Sequence, residues 1–335
     1  MHESTQTVDT HEPLIDISKL TKTFEDITAV NDICFSLRRG EIFGFLGPNG
    51  AGKTTTINMI TGLSRPDSGT IKIAGNDCTK YPKKAQHLIG VVPDESNLYP
   101  ELSGFDNLCF CASLYGIRRQ ERQFRAKKLL EKFGLKEAAN RKFAGYSRGM
   151  KRKLTIAAGI IHQPQILFLD EPTTGIDVAS ARQLRQLISD LNSDGTTIFL
   201  TTHYIEEAER LCDRIAFIAH GSIVRIDTVE NLMQQTHGRH VVQFAVSENV
   251  TAICDNIKDL SPDLRCQMVA GEIRIESSRP IQVGPLVRLM EDGGAEVYEA
   301  RKIRPTLEDV FIKMTGIEAG MMKQEKEKIK TGEEF

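Results

Sequence analysis

Gly47-Pro48-Asn49-Gly50-Ala51-Gly52-Lys53-Thr54 carries the residue types that hold a polyphosphate, at the spacing G-x-x-x-x-G-K-[ST]. Glycines let successive backbone N–H groups turn inward and approach phosphate oxygens, and a following helix N-terminus adds its dipole. Lys53 brings a point charge to the outer phosphates, Thr54 a hydroxyl suited to Mg²⁺, and Thr55 opens a helix-compatible stretch. Asp170-Glu171 ends the apolar run Gln165-Ile166-Leu167-Phe168-Leu169. Two carboxylates where a buried strand emerges are costly unless a cation or proton chemistry uses them. Asp170 is then the acid for Mg²⁺ and Glu171 the base that polarises an attacking water; the plainer alternative is that both cap the next helix. His203 follows the run Thr196–Thr202 and either faces a terminal phosphate or is structural. Together these residues predict a site for a nucleoside triphosphate.

Positioning such groups needs a strand before the loop and a helix after it. Ile42-Phe43-Gly44-Phe45-Leu46 supplies the strand pattern, and residues from Thr55 the helix. The apolar run at 165–169 reads as a central parallel strand, and in parallel α/β sheets ligands sit at the carboxyl ends of strands. Strand-like runs at 14–17 and 32–37 suggest a small antiparallel sheet ahead of the loop. Phe24 lies between them, either to stack on a base or to plug a small core. Further strands are expected at 69–75 and 87–92, the latter ended by Pro93-Asp94.

Residues 101–140 turn helical, opened by Ser103-Gly104-Phe105-Asp106 as a capping box. Acids interrupt the basic run RRQERQFRAKKLLEKFGL, which favours a solvated amphipathic helix over an RNA-binding one. Ser147 is placed to cap the helix through KRKLTIAAGII, as a simple N-cap or as part of a second anion site. A hairpin at 214–227 and the segment TVENLMQQ close the first domain near residue 236. A strand at 240–246, a helix near 249–260, a hairpin through 263–277 turning at Ala270-Gly271, a helix near 282–292 and a strand at 295–302 give βαββαβ, the split ferredoxin-like order. Pro305-Thr306-Leu307-Glu308-Asp309 starts a last helix, and a charged tail follows.

At 335 residues the chain has room for two cores. A formal net charge of −2 argues against a mainly nucleic-acid-binding protein. No apolar stretch approaches bilayer length, mean hydropathy is −0.27, and the polar start MHESTQTVDTHEP has no signal-peptide pattern. Seven scattered cysteines, including the C-x-C pair Cys109 and Cys111, suit reduced thiols in a cytosolic protein.

With these motifs in view, residues 14–236 resemble the nucleotide-binding subunit of an ABC transporter. Gly47 to Thr54 is similar to Walker A, and Ile166 to Glu171 to Walker B with its catalytic glutamate. Tyr146-Ser147-Arg148-Gly149-Met150 resembles the ABC signature, and Thr174-Gly175-Ile176-Asp177 the D-loop. His203 falls in the switch-histidine place and Phe24 where the family stacks the adenine. Pro305 to Phe311 resembles the daunorubicin-resistance branch of exporters, in which ATPase and permease are separate chains.

The resemblance implies a P-loop NTPase fold of class α/β, with a mixed sheet core, a small antiparallel β-subdomain and a helical signature subdomain at about 95–150. A small α+β ferredoxin-like domain follows at 237–316, with a flexible arm at 1–13 and a charged tail at 317–335. It implies ATP and Mg²⁺, with Glu171 and His203 catalytic and Thr54, Asp170 and Asp94 on the metal. Gly47, Pro48, Asn49, Gly50, Ala51, Gly52, Lys53, Thr54 and Thr55 would bind the triphosphate. It also implies a head-to-tail homodimer or ATPase-domain heterodimer, in which Ser147, Arg148, Gly149 and Met150 of one subunit face ATP held by the other. The partner would be a polytopic membrane permease, and the location peripheral, on the cytoplasmic face of the membrane. The rival class is a soluble ABC ATPase acting on ribosomes or nucleic acid; a third is a module that binds ATP without hydrolysing it.

Two positions depart from the family pattern. Asp94 replaces the usual glutamine of the Q-loop, adding negative charge near the γ-phosphate. Arg148 replaces a signature glycine and brings a guanidinium able to reach a phosphate or the permease.

Overall fold

Every residue of Ile42–Leu46, Ile166–Asp170 and Thr197–Thr202 is buried. Strands without a solvated face belong in the interior of a parallel sheet. The computed structural model describes residues 12–234, 240–247, 257, 263–269, 272–303 and 306–317. The expected arm up to residue 11, the tail from 318, the turn Ala270-Gly271 and the helix near 249–260 apart from Ile257 lie outside the described residues.

In chain order the first unit contains β1 (Ile15–Phe24), β2 (Ile27–Leu37), β3 (Ile42–Leu46), α1 (Lys53–Ile60), β4 (Ser68–Ile73), β5 (Asn76–Asp77) and β6 (Ile89–Val92). The helical segment follows as α2 (Gly104–Leu114), α3 (Arg119–Lys132) and α4 (Arg148–Ile160). Then come β7 (Ile166–Asp170), α5 (Val178–Ser193), β8 (Thr197–Thr202), α6 (Ile205–Leu211), β9 (Arg214–Ala219) and β10 (Ser222–Thr228). The main sheet has the order β10-β9-β3-β8-β7-β6, parallel except for the β9–β10 hairpin. A second, antiparallel sheet has the order β2-β1-β4-β5.

Phe35, Phe43, Phe45, Phe168 and Phe199 pack with ring centroids 5.4 to 6.0 Å apart, fastening the antiparallel hairpin to the parallel sheet. The hairpin is longer than the sequence pattern suggests. β1 and β2 continue to a two-residue turn at Glu25-Asp26, because Phe24 pairs with Ile27 across an exposed ribbon whose polar residues mask strand periodicity. Ser103 caps α2 by accepting the Asp106 N–H at 3.0 Å; the Asp106 carboxylate in turn takes the Ser103 hydroxyl rather than the capping-box backbone N–H.

Contacts divide the chain between Thr228 and Val229, eight residues before the expected boundary at 236. The second unit opens with α7 (Val229–Gln234) and contains β11 (His240–Val246), β12 (Arg265–Val269), β13 (Glu272–Ser277), α8 (Val283–Asp292), β14 (Val297–Ile303) and α9 (Leu307–Thr315). Helix α7, with Leu232 buried, packs against α9, which is why its residues go with this unit. The sheet order β12-β13-β11-β14, antiparallel throughout, is that of the split βαβ arrangement. Its core gathers Val242, Phe244, Ile257, Ile273, Ile275, Leu286 and Met290. Cys266 on β12 is disulfide-bonded, which corrects the expectation of reduced thiols throughout; Cys34, Cys78, Cys109, Cys111 and Cys212 are free.

Candidate active site

β3 delivers the chain into a loop that only glycine can follow at two points. A Cβ on Gly47 would lie 2.2 Å from the Ile218 carbonyl oxygen. Gly52 has φ 100°, and a Cβ there would lie 2.3 Å from the Ala29 oxygen. α1 starts at the next residue with no side-chain cap, so its first N–H groups face the loop's concavity. Among the described residues the buried Asn49 Nδ2 has no hydrogen-bond partner. Lys53 folds back on the loop, its Nζ donating to the carbonyls of Gly47 and Pro48 at 2.9 Å each. A buried ammonium held by carbonyls, an orphaned amide and an uncapped helix start fit a polyphosphate.

The carboxyl ends of β7 and β8 complete the cleft. Asp170 pairs with Thr201 on the neighbouring strand, whose hydroxyl donates to Asp170 Oδ1; Thr54 Oγ1 donates to Asp170 Oδ2 at 2.9 Å. That hydroxyl and carboxylate are the oxygen donors Mg²⁺ takes beside phosphate and water, so the residues present fit the cation. Glu171 sits at φ 45°, a left-handed conformation that a glutamate adopts only under constraint. The constraint is visible: its N–H donates to the Thr201 oxygen at 3.1 Å. Its Oε2 accepts from Thr174 Oγ1 at 2.9 Å and lies 3.0 Å from His203 Nδ1, and its Oε1 lies 3.6 Å from Lys53 Nζ. The cleft, about 210 Å³, is lined by Ala29, Asn49, Gly50, Gly52, Lys53, Thr54, Thr55, Asp94, Asp170 and Glu171. The structure thus brings Asp94 to the same cavity as the two Walker-like acids.

Behind the acids stands Arg152 of α4, 6% exposed. Its guanidinium donates to the main-chain oxygens of Pro93, Asp94 (3.0 Å), Asp170 (2.6 Å) and Pro172 (2.9 Å). Burial pulls its pKa below the ordinary arginine range, against the opposing charges of Asp94, Asp170, Glu207 and Glu171. Glu207, nearly fully buried, is pushed up by desolvation, although Thr173 and Thr202 donate to it. Sequence reasoning missed Arg152, Thr201 and Glu207, and it named Thr174 without its bond to Glu171. The first left a trace: an arginine three residues after Gly149 and four before Ile156 stands on the buried stripe of α4.

The ABC transporter family model matches residues 30–174. Over 306 residues the chain is 37% identical to the linearmycin resistance ATP-binding protein LnrL of Bacillus subtilis, covering 90% of this chain and 98% of that protein. The chain belongs to the ABC transporter ATP-binding family. It is also 36% identical to the doxorubicin resistance ATP-binding protein DrrA of Mycobacterium tuberculosis, across 86% of this chain and 89% of that one. A dimeric ATP-binding cassette in a post-hydrolysis state with ADP and Pi superposes with a TM-score of 0.59 at 28% identity, over 64% of this chain and 98% of that cassette. As an ATP-binding subunit of this family, the protein is an ATPase.

The signature-like segment Tyr146-Ser147-Arg148-Gly149-Met150 does not line this cleft. Ser147 caps α4 by accepting the Met150 N–H at 3.3 Å, so the plain capping reading holds within one chain. Gly149 leaves room for Ser180, 2.8 Å from where a Cβ would stand, and Arg148 Nη1 donates to the Gly175 oxygen at 3.3 Å. Asp177 caps α5 through the Ser180 N–H at 2.9 Å, a bond that lowers its carboxyl pKa. Phe24 stands half-exposed at the tip of the β1–β2 hairpin under the Lys22 ammonium, 5.2 Å from the ring centroid; Ala29 of the same hairpin lines the cleft and Phe24 does not.

Proposed function

We propose that this chain is the ATP-hydrolysing subunit of a two-component exporter, peripheral on the cytoplasmic face of the membrane and coupled to a permease carried on a separate chain. The observation that carries the reading is the convergence of Lys53, Thr54, Asp170 and Glu171 on one cleft at the sheet's carboxyl edge, with His203 Nδ1 3.0 Å from the Glu171 carboxylate. Resistance relatives named for linearmycin and doxorubicin make drug export the first activity to test.

In this reading the loop amides from Gly47 to Thr55 and the Lys53 ammonium bind the triphosphate. Phe24 stacks on the adenine. Thr54 and Asp170, with Asp94 across the cleft, would hold Mg²⁺, which supplies charge neutralisation on the phosphates. Glu171 takes a proton from the attacking water as its oxygen bonds to the γ-phosphorus, and the β–γ bridging oxygen leaves on ADP. His203, beside the base, senses the γ-phosphate. The signature, with Ser147, Arg148, Gly149 and Met150, meets the nucleotide of a second ATPase subunit, and Asp177 lies at that junction. The absence of a membrane-length apolar helix among the described residues agrees with a separate permease.

Affinity capture of the tagged chain from its native membranes, with and without Mg-ATP, tests the proposal. Co-recovery of a polytopic membrane protein supports it. Recovery of ribosomes or nucleic acid without a membrane partner would replace it.

A further inference from the structure

Arg152 carries a charge into a buried place and turns its guanidinium to main-chain oxygens. All its described hydrogen bonds go to main-chain oxygens, and those oxygens belong to two separate segments. Pro93 and Asp94 leave β6; Asp170 and Pro172 leave β7. A guanidinium presents its donors in one rigid plane, so accepting from it fixes both the separation and the tilt of the accepting segments. Each segment brings acid to the cleft: Asp94 from one, Asp170 and Glu171 from the other. An apolar side chain of similar volume would fill the space without the cost of burying a cation. The arginine does what packing alone would not: it sets a distance.

Its other end belongs to α4. Ser147 caps that helix, Gly149 follows in the first turn, and Arg152 lies one turn further along. A displacement of the helix start is therefore carried along a rigid rod to the two strand ends. We propose that Arg152 is a positioning residue that transmits the state of the signature helix to the cleft acids of the same chain. Engagement of Ser147–Gly149 thereby adjusts the placement of Asp94 and Asp170 toward the cation and of Glu171 toward water. The inference rests on the ATPase reading above and assigns Arg152 no contact with the nucleotide.

The test uses the full-length protein, with Arg152→Gln and Arg152→Lys beside wild type. Turnover is measured against ATP and against Mg²⁺, and binding of a fluorescent ATP analogue with and without Mg²⁺. A positional error near 1 Å costs about 10²-fold in rate, so kcat of Arg152→Gln should fall by about that factor. KM and metal-free analogue binding should hold, while the enhancement of binding by Mg²⁺ shrinks; Arg152→Lys, keeping a donor and the charge, should recover part of both. Wild-type levels of kcat and Mg²⁺ response in the glutamine variant would overturn the inference. An inactive wild type would instead strike the ATPase reading. Should both variants fail to fold, hydrogen exchange on wild type decides: nucleotide should change protection of 147–154, 93–95 and 170–172 together, and a response of 147–154 alone overturns the proposal.

Discussion

Thr54 Oγ1 and Asp170 Oδ2 lie 2.9 Å apart, a hydrogen bond that joins the first turn of the phosphate-loop helix to the end of the central strand. Both atoms are oxygen donors of the kind Mg²⁺ selects, and neither element alone would make a site. Thr54→Ala removes one donor and leaves Asp170 held by Thr201. The Mg²⁺ concentration for half-maximal turnover should rise by about tenfold or more, as for other losses around a metal centre. A titration with Mg²⁺ at saturating ATP measures it, and an unshifted midpoint removes Thr54 from the cation.

Glu171→Gln keeps the size and the Thr174 contact but cannot accept a proton from water. ATP binding should persist while turnover drops about 10²- to 10⁴-fold, the range for loss of a general base. Single-turnover hydrolysis with equilibrium binding separates the two effects. Turnover that survives the change would exclude Glu171 as the base.

Gly52→Ala meets two penalties at once, φ of 100° and the Ala29 oxygen 2.3 Å from the new methyl. Left-handed strain and overpacking together should cost about 2–5 kcal/mol. Urea unfolding should show a lowered midpoint, and nucleotide binding should be lost even at temperatures where the variant is folded. A wild-type midpoint would mean the loop has room this geometry denies.

Desolvation raises the Glu207 carboxyl above its ordinary value of 4.5. The folded state therefore holds that proton more tightly than the unfolded chain does. Its contribution is full below about pH 4.5 and is lost as pH climbs from there through the folded pKa. Glu207→Gln cannot ionise, so the melting temperature of the variant relative to wild type should climb between pH 4 and pH 7.5. A difference that is flat with pH would show Glu207 is not held protonated by its burial.

The phosphate loop was readable because its function dictates residue type and spacing together, and Gly47 and Gly52 fail sterically as anything else. Asp170 was readable from an apolar run that ends in acid. Thr201 was not, because its role comes from standing opposite Asp170 in a parallel register, and parallel partners are set by topology rather than by adjacency in sequence. The same holds for Arg152, whose acceptors are backbone oxygens and so leave no mark on residue identity. The β1–β2 hairpin was seen only as two fragments because one side of its outer half faces solvent. The contact boundary falls at Thr228 rather than near 236 because α7 turns its one buried residue, Leu232, to a unit whose last helix, α9, does not begin until Leu307.

Glu171 holds φ 45°, where glycine and asparagine would rest more easily. Position 171 is thus a place where selection for fold and selection for chemistry pull apart. A library randomised there and sorted for folded yield alone should drift toward glycine and asparagine, whereas one sorted for ATP turnover should return glutamate. The two enriched populations would be nearly disjoint, and drift at this one codon would distinguish a lineage that still uses the cleft from one that merely keeps the scaffold.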